Sequence, residues 1–165
     1  MIVRPLFGAD APAWRAMMLD ATAANPAAFL LSASEVGAMT DDQVRQNLEQ
    51  GRLRGLFDDE ARLLGFAGLH LWQMDRLRHR ADIGPFYIDP TARGTGAADR
   101  LMTALVDIAR AGGVVWLDLW VAASNGRAQA FYARHSFQQV ARRQDAVRID
   151  GRSEDDVLMT RRLAG

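Results

Sequence analysis

The chain of 165 residues is 49% hydrophobic and 24% charged, which predicts one globular domain, residues 1–165, with a substantial core. Acidic and basic residues number 20 each, so charge predicts no general affinity for nucleic acid or an anionic membrane. Cysteine and lysine are absent, which excludes disulfides, thiolate nucleophiles, a Schiff-base lysine and the lysine of a nucleotide-binding P-loop. Residues 1–5 lack the apolar run of a signal peptide and no segment has the length of a membrane span, so we expect a cytoplasmic protein.

The first predicted elements are a strand over residues 2–6 and a helix that Asp10 caps. That helix is expected to end at Asn25, because the residue before a proline avoids helical angles. Residues 29–39 show no regular pattern and are expected to be irregular. Thr40 begins a capping-box pattern, which predicts a second, short helix.

Two strands are predicted next, over residues 53–57 and residues 62–72. Two glycines in the second strand, Gly65 and Gly68, indicate a bulge. The basic run of residues 76–80 is typical of a charged loop tip, and a contact with phosphate or an acidic substrate is the alternative.

The fourth predicted strand covers residues 81–89 and contains Gly84-Pro85. Proline cannot donate a hydrogen bond to a strand ladder, so this dipeptide indicates an edge or a bulge. A one-sided apolar stripe then predicts a helix that begins near Ala97 and that Gly112-Gly113 closes.

Residues 114–121 are almost continuously apolar, as in a strand covered on both faces. Residues 125–134 predict another helix, and residues 137–149 and 156–163 predict a closing pair of strands around Gly151. Strands and helices in this order predict an α/β domain with one mixed sheet.

The run Arg93-Gly94-Thr95-Gly96-Ala97-Ala98 joins the fourth strand to the following helix. The first N–H groups of a helix have no partner within it, and the helix dipole adds partial positive charge there. Glycine lets the backbone approach a bulky anion, and arginine adds a full charge with a forked donor. The run therefore predicts a cradle for a phosphate or pyrophosphate, although two glycines at such a junction also fit a simple tight turn.

Two stretches resemble the GCN5-related N-acetyltransferase (GNAT) superfamily. Residues 81–96 resemble the core motif of that family, and its Arg/Gln-x-x-Gly-x-Gly/Ala signature is matched by Arg93, Gly96 and Ala98. The second half of the family is resembled by Leu119-Trp120-Val121, Asn125, Ala128, Phe131, Tyr132 and Phe137. The chain departs from the family pattern at Ser136, where glycine is common, and at Gly84-Pro85 in the fourth strand.

The resemblance implies a single-domain, mixed and mostly antiparallel central sheet, flanked by helices and splayed between the fourth and fifth strands. Acetyl-CoA, as co-substrate and without a metal, would lie in that splay, with its pyrophosphate at the backbone of residues 93–98. The pantetheine arm is expected to contact Phe86, Tyr87, Ile88, Asn125 and Phe131.

The resemblance also implies two proton transfers. Tyr132 matches the general acid of the family, since a phenol with a pKa of about 10 can protonate a thiolate of similar basicity. The alternative is an aromatic residue packed in the core. Asp82 matches a position where relatives often carry an acid and is the candidate base, with an ordinary strand-end carboxylate as the alternative. His70 and Asp118 are further candidates for the base. The alternative for His70 is packing within its strand, and the alternative for Asp118 is an ion pair with an arginine.

The expected function is acetyl-CoA-dependent acetyl transfer to a primary amine by direct attack through a tetrahedral intermediate. A small-molecule amine, an amino acid and a peptide N-terminus all remain open as the acceptor. No nucleic acid or membrane partner is expected, and a homodimer is expected only by analogy. The alternatives are a non-catalytic acyl-CoA-binding module of the same fold and a nucleotide-binding interaction domain.

Overall fold

Seven β-strands form one sheet in the computed structural model, which describes residues 1–163. The strands are β1 (Ile2–Pro5), β2 (Leu53–Phe57), β3 (Leu63–Leu71), β4 (Arg80–Ile88), β5 (Trp116–Ala122), β6 (Gln138–Ile149) and β7 (Arg152–Arg162). The helices are α1 (Ala11–Ala24), α2 (Ala33–Ala38), α3 (Asp41–Glu49), α4 (Ala97–Ala111) and α5 (Gly126–Arg134). None of the helices within the described range is long and apolar enough to span a membrane.

The strand order is β1-β2-β3-β4-β5-β7-β6, and neighbouring strands are antiparallel except for β4 and β5, which run parallel. This parallel pair is hydrogen-bonded only from Arg80 to Asp82, opposite Trp116 to Asp118. Beyond these residues the two strands separate. The fold predicted from the sequence, a mostly antiparallel sheet splayed between its fourth and fifth strands, is therefore confirmed.

The sheet buries apolar side chains on both faces because successive strand residues point to opposite sides. In β3, Phe66 packs in one cluster with α1, α2 and α3, whereas Ala67 and Leu69 pack in the other with α4. The near-continuous burial of β3 follows from this two-sided cover.

A bulge interrupts the pairing of β3 with β4. Ala67 is opposite Phe86 and Leu69 is opposite Ile83, so Gly68 alone faces Gly84-Pro85. The bulge predicted for this strand is therefore present at the second of its two glycines. Gly68 has no side chain, which lets the carbonyl oxygen of Gly84 approach its backbone closely.

The prediction that residues 29–39 are irregular is wrong for α2. Ser32 caps this helix, because its hydroxyl accepts a hydrogen bond from the Glu35 N–H at 3.2 Å. The Glu35 carboxylate in turn accepts from the Ser32 N–H at 2.8 Å, and Val36 is fully buried below. Ser32 and Glu35 have the spacing of a capping box, which is the sequence signal for this short helix.

Asp10 precedes α1 but does not cap it with its side chain, which corrects the capping prediction. Its carboxylate instead accepts two hydrogen bonds of 2.8 Å from Arg4, because the guanidinium fork competes successfully for both oxygens. Two further boundaries differ: Arg80 belongs to β4 rather than to a loop tip, and β7 begins at Arg152, four residues before its predicted start.

Gly68→Ala is expected to lower the free energy of unfolding by about 1–3 kcal/mol, because the new Cβ would collide with a backbone oxygen that cannot rotate away. Urea unfolding measures this quantity. Gly37→Ala is the control, since its Cβ would meet its nearest neighbour at 3.9 Å, and it is expected to stabilise by about 0.5–1 kcal/mol. An unchanged free energy of unfolding in Gly68→Ala would contradict the close approach at the bulge.

Candidate active site

β4 and β5 separate just beyond their last paired residues, Asp82 and Asp118, and the space between them is called the split. A polar cluster lies at its base. Arg80 donates two hydrogen bonds to Asp118, from Nε at 2.8 Å and from Nη2 at 2.7 Å. The Thr160 hydroxyl donates a third to the same carboxylate at 2.6 Å. Asp118 thus forms an ion pair with an arginine, which is the alternative role that the sequence analysis gave it. Its hydrogen bonds join β4, β5 and β7 at the base of the split.

Beyond the base of the split, β4 turns part of its backbone toward the gap. Asp89 donates its N–H to the Leu64 carbonyl of β3 at 2.9 Å. Because N–H groups along an antiparallel strand alternate in direction, those of Ile88 and Phe86 point away from β3 and toward the gap. The Ile88 carbonyl on the same side accepts a hydrogen bond from Arg93 Nε at 3.1 Å.

The glycine-rich run forms the amino-terminal end of α4. Gly94 and Gly96 have φ angles of 77° and 82°, in the left-handed region that glycine adopts without strain. A Cβ at either position would meet no atom within 4 Å, so the space beside both glycines is open. Gly96 is the N-cap and offers no side-chain acceptor, which leaves the first N–H groups of α4 without a cap. This geometry fits a bulky anion.

The other residues of the run hold this turn in place. The Arg93 guanidinium carbon lies 5.7 Å from the centroid of the Tyr87 ring, and Thr95 donates its hydroxyl to the Ala92 carbonyl at 2.7 Å. The Ala97 side chain is buried in the core. Neither Thr95 nor Ala97 lines the cavity beside the run.

A cavity of about 380 Å³, the first cavity, extends from residues 93–98 along the gap between β4 and β5. The predicted residues that line it are Phe86, Tyr87, Ile88, Arg93, Gly94, Gly96, Ala98, Asn125, Phe131 and Tyr132. The structure thus brings both halves of the sequence motif to one elongated space.

Helix α5 forms the far wall of the first cavity. The Asn125 side chain accepts a hydrogen bond from the Ala128 N–H at 3.1 Å and so caps this helix. Phe131 packs against Phe86 across the gap, with ring centroids 5.5 Å apart. These contacts set the width of the cavity between β4 and α5.

A second cavity of about 390 Å³ lies next to the first. Asp82 and His70 line it, and they are register partners on β4 and β3. The pKa of Asp82 is raised above the ordinary value of an aspartate, because burial penalises its charge and Asp118 lies nearby. Asp82 lines the second cavity and not the first.

Tyr132 lines both cavities and is buried, with only 8% of its surface exposed. Its ring packs edge-on against Phe86, Phe131 and Phe137, at centroid distances of 6.2, 5.4 and 5.9 Å. Burial among these apolar rings raises the pKa of the Tyr132 phenol well above its usual range. A phenol is protonated at neutral pH even with its ordinary pKa of about 10, so the hydroxyl carries the proton that a donor needs, and burial makes it a weaker acid.

Several charged residues of the two cavities were not predicted as site residues. Arg127 and Arg134 of α5 line the first cavity, and Arg143 and Asp156 line the second. The available signal for the latter two was a pair of matching runs, Arg142-Arg143 and Asp155-Asp156, in the two closing strands.

Ser136, which departs from the family pattern, has a φ angle of 64° in the turn after α5. Only a few residue types adopt this left-handed conformation easily, which explains why glycine suits the position. The turn still forms, since the Ser136 N–H donates to the Ala133 carbonyl at 3.0 Å and Phe137 is buried.

Solved structures with the same fold are numerous. The chain superposes on the ribosomal-protein-alanine N-acetyltransferase of Brucella melitensis with a TM-score of 0.84 at 22% identity, covering 99% of this chain and 100% of that one. It superposes on yncA of Salmonella typhimurium, a structure with its cofactor acetyl-CoA, with a TM-score of 0.83 at 19% identity, covering 100% and 95%. For an acetyltransferase of the GNAT family from Streptococcus pneumoniae the TM-score is 0.84 at 20% identity, covering 98% and 99%.

No curated protein sequence matches this chain significantly. The family model described as "Acetyltransferase (GNAT) family" does match, over residues 14–137, which is well over half of the chain and includes the cradle, Asp82 and Tyr132. The match and the shared fold together assign the protein: the chain belongs to the acetyltransferase (GNAT) family.

Proposed function

We propose that this protein transfers an acetyl group from acetyl-CoA to a primary amine. The observation that carries the proposal is the meeting of two cavities at Tyr132, one with an anion cradle and one with a partly buried carboxylate. A two-substrate transfer needs this arrangement, because donor and acceptor must enter separately and react at one point.

The first cavity fits the donor. The uncapped N–H groups of α4 and the charge of Arg93 would hold the pyrophosphate, together with backbone of Gly94, Thr95, Gly96, Ala97 and Ala98. The Ile88 N–H would pair with an amide of the pantetheine arm, with Tyr87, Asn125 and Phe131 shaping the channel. Bound acetyl-CoA supplies the thioester carbonyl at the inner end of this channel.

The Phe86 N–H has a different role in this proposal. When the amine attacks the carbonyl carbon, negative charge develops on the carbonyl oxygen. A backbone N–H directed into the gap stabilises that charge without moving, which is a large contribution in a site that excludes water.

Tyr132 would act as the general acid. It is placed where the cavities meet, and a phenol is protonated at neutral pH. The departing sulfur needs a proton as the carbon–sulfur bond breaks, and the phenol supplies it.

Asp82 would act as the general base from the second cavity. An alkylamine has a pKa of about 10 and is mostly protonated at neutral pH, so it must lose a proton before it attacks. A carboxylate whose pKa is raised by burial accepts such a proton, through water, more readily than an exposed aspartate does.

Gly96→Ala is expected to weaken acetyl-CoA binding about tenfold, because a methyl group enters the space through which the pyrophosphate approaches. Titration calorimetry measures this affinity. Gly113→Ala is the matched control at the other end of α4: its φ of 75° and open surroundings are equivalent, but it lies outside both cavities. Equal loss in both variants would show strain alone, and saturable binding of ATP in place of acetyl-CoA would favour the nucleotide-binding alternative.

Tyr132→Phe is expected to lower kcat by about 10²-fold or more, because the proton donor for the thiolate is lost. Acetyl transfer to a panel of primary amines, read by release of free thiol, measures kcat. Acetyl-CoA affinity should stay within about threefold, since ring packing is kept. Unchanged turnover would remove the acid assignment, and no transfer to any amine by the wild-type protein would favour a non-catalytic acyl-CoA-binding module.

Asp82→Asn is expected to lower kcat/KM by about 10²-fold and to remove the acidic limb of its pH profile. The sign follows from the chemistry: the base works when deprotonated, so activity falls as pH drops through the pKa of Asp82. Because that pKa is raised, the limb lies at higher pH than for an ordinary aspartate. Asp107→Asn, on the exposed side of α4, is the control. A limb that persists in Asp82→Asn but disappears in His70→Asn would assign the base to His70.

A further inference from the structure

Two arginine–aspartate pairs lie side by side on the last two strands. Arg142 approaches Asp155 to 2.8 Å, and Arg143 approaches Asp156 to 3.1 Å. Successive strand residues point to opposite faces, so the pairs face different surroundings. Arg143 and Asp156 line the second cavity, whereas Arg142 and Asp155 do not.

The Arg143 guanidinium is held on two sides. Asp156, only 7% exposed, accepts a hydrogen bond from its Nη2, and the Trp120 ring lies below it at 4.5 Å from the centroid. Within residues 1–163 this is the one hydrogen bond that the guanidinium makes, so most of its five N–H donors are available. An arginine that is already oriented by a carboxylate and an aromatic face binds a second carboxylate with little loss of side-chain entropy.

Strand register gives the depth of Arg143, which is its distance from the base of the split measured along the strands. Arg143 pairs with Asp156, and Asp156 pairs with Ala122, so the three form one row across the sheet. Ala122 lies four residues beyond Asp118, the last residue of β5 that pairs with β4. At a rise of about 3.3 Å per residue the row stands about 13 Å beyond the base of the split.

Phe86 stands at nearly the same depth on the opposite strand. β4 runs parallel to β5, and Asp82 is the register partner of Asp118. Because of the bulge, the four residues from Asp82 to Phe86 span only three residues of β3, so Phe86 stands about 10 Å beyond the base of the split. Its N–H points into the gap where the acetyl carbonyl is expected. The attacking amine beside Phe86 therefore lies about 3 Å nearer the base of the split than the anion site at Arg143, which matches the spacing of an amine and a carboxylate on one carbon. Asp82 lies deeper and receives the proton through water.

We propose that the acceptor is a free α-amino acid with an apolar side chain, an inference that rests on the acetyl transfer proposed above. Its carboxylate binds Arg143, which brings the amine on the neighbouring carbon level with Phe86. Its side chain packs against the apolar part of the second cavity, formed by Met18, Phe29, Leu30, Leu31 and Val147. A peptide N-terminus carries an amide in place of the carboxylate and would leave Arg143 without a partner.

The test compares three probes that share one side chain: leucine, leucinamide and 3-methylbutylamine. Calorimetry in the presence of CoA, which carries no acetyl group to transfer, measures binding alone. Leucine is expected to bind at least about tenfold more tightly than leucinamide, since it adds a charged hydrogen-bonded pair. Arg143→Lys should reduce this ratio, and the double variant Arg143→Met with Asp156→Asn should bring it to about one.

The double variant leaves no unpaired buried carboxylate, so it keeps the test informative if Arg143→Met alone fails to fold. Arg142→Lys and the pair Arg142→Met with Asp155→Asn are matched controls and should keep the full ratio. Equal binding of leucine and leucinamide by the wild-type protein, or a ratio that survives in the Arg143 double variant, overturns the proposal.

Measuring acetyl transfer to the three probes distinguishes a failure of this inference from a failure of the proposed function. Acetyl transfer to all three probes without preference for leucine would leave the acetyltransferase standing and overturn the amino-acid acceptor. Selective binding of leucine through Arg143 with no transfer to any probe would support the carboxylate site and overturn the proposed function.

Discussion

Hydrogen bonding between β4 and β5 ends after three residue pairs, and both cavities exist because of this early end. A fully paired parallel sheet would have closed the gap. The Arg80–Asp118–Thr160 cluster fixes the point of separation by joining three strands through one carboxylate. The bulge at Gly68 and Gly84-Pro85 then redirects β4 just beyond the last pair.

The two aspartates at the base of the split have the same residue type and opposite surroundings. Asp118 is satisfied by an arginine fork and a hydroxyl, and its role is to hold strands together. Asp82 lies beside it without such a partner, and burial with that neighbouring charge raises its pKa. Asp118, which holds the strands together, thus also raises the proton affinity of Asp82, the proposed base.

The first and second cavities differ in what their walls offer a ligand. The first presents backbone N–H groups at a helix terminus and along β4, which recognise phosphate and amide groups without depending on side-chain identity. The second presents side chains from α1, β3, β6 and β7, among them Met18, His70, Val147 and Asp156. In the proposed function, donor binding would therefore depend mainly on backbone geometry, and acceptor choice on side chains.

Local signals in the sequence predicted most of the elements and the turn of residues 93–98 that opens α4. The spacing of Arg93, Gly96 and Ala98 predicts the cradle because helix capping and positive φ angles are properties of a few neighbouring residues. The same reasoning extends to α2, because the spacing of Ser32 and Glu35 is that of a capping box and indicates the start of a helix. It failed at Asp10, whose carboxylate is engaged by Arg4 through a contact between two elements.

The sequence alone predicted an α/β domain with one mixed sheet and the glycine-rich turn that opens α4, since both depend on short-range patterns. The family resemblance added Tyr132 as a candidate site residue. Only the tertiary structure decided which of Asp82 and Asp118 is left without an arginine, because strand register places Arg80 beside one of them. It also decided that Arg143 faces a cavity while Arg142 does not. Side-chain direction and depth depend on how distant strands align, and no local pattern in either arginine contains that information.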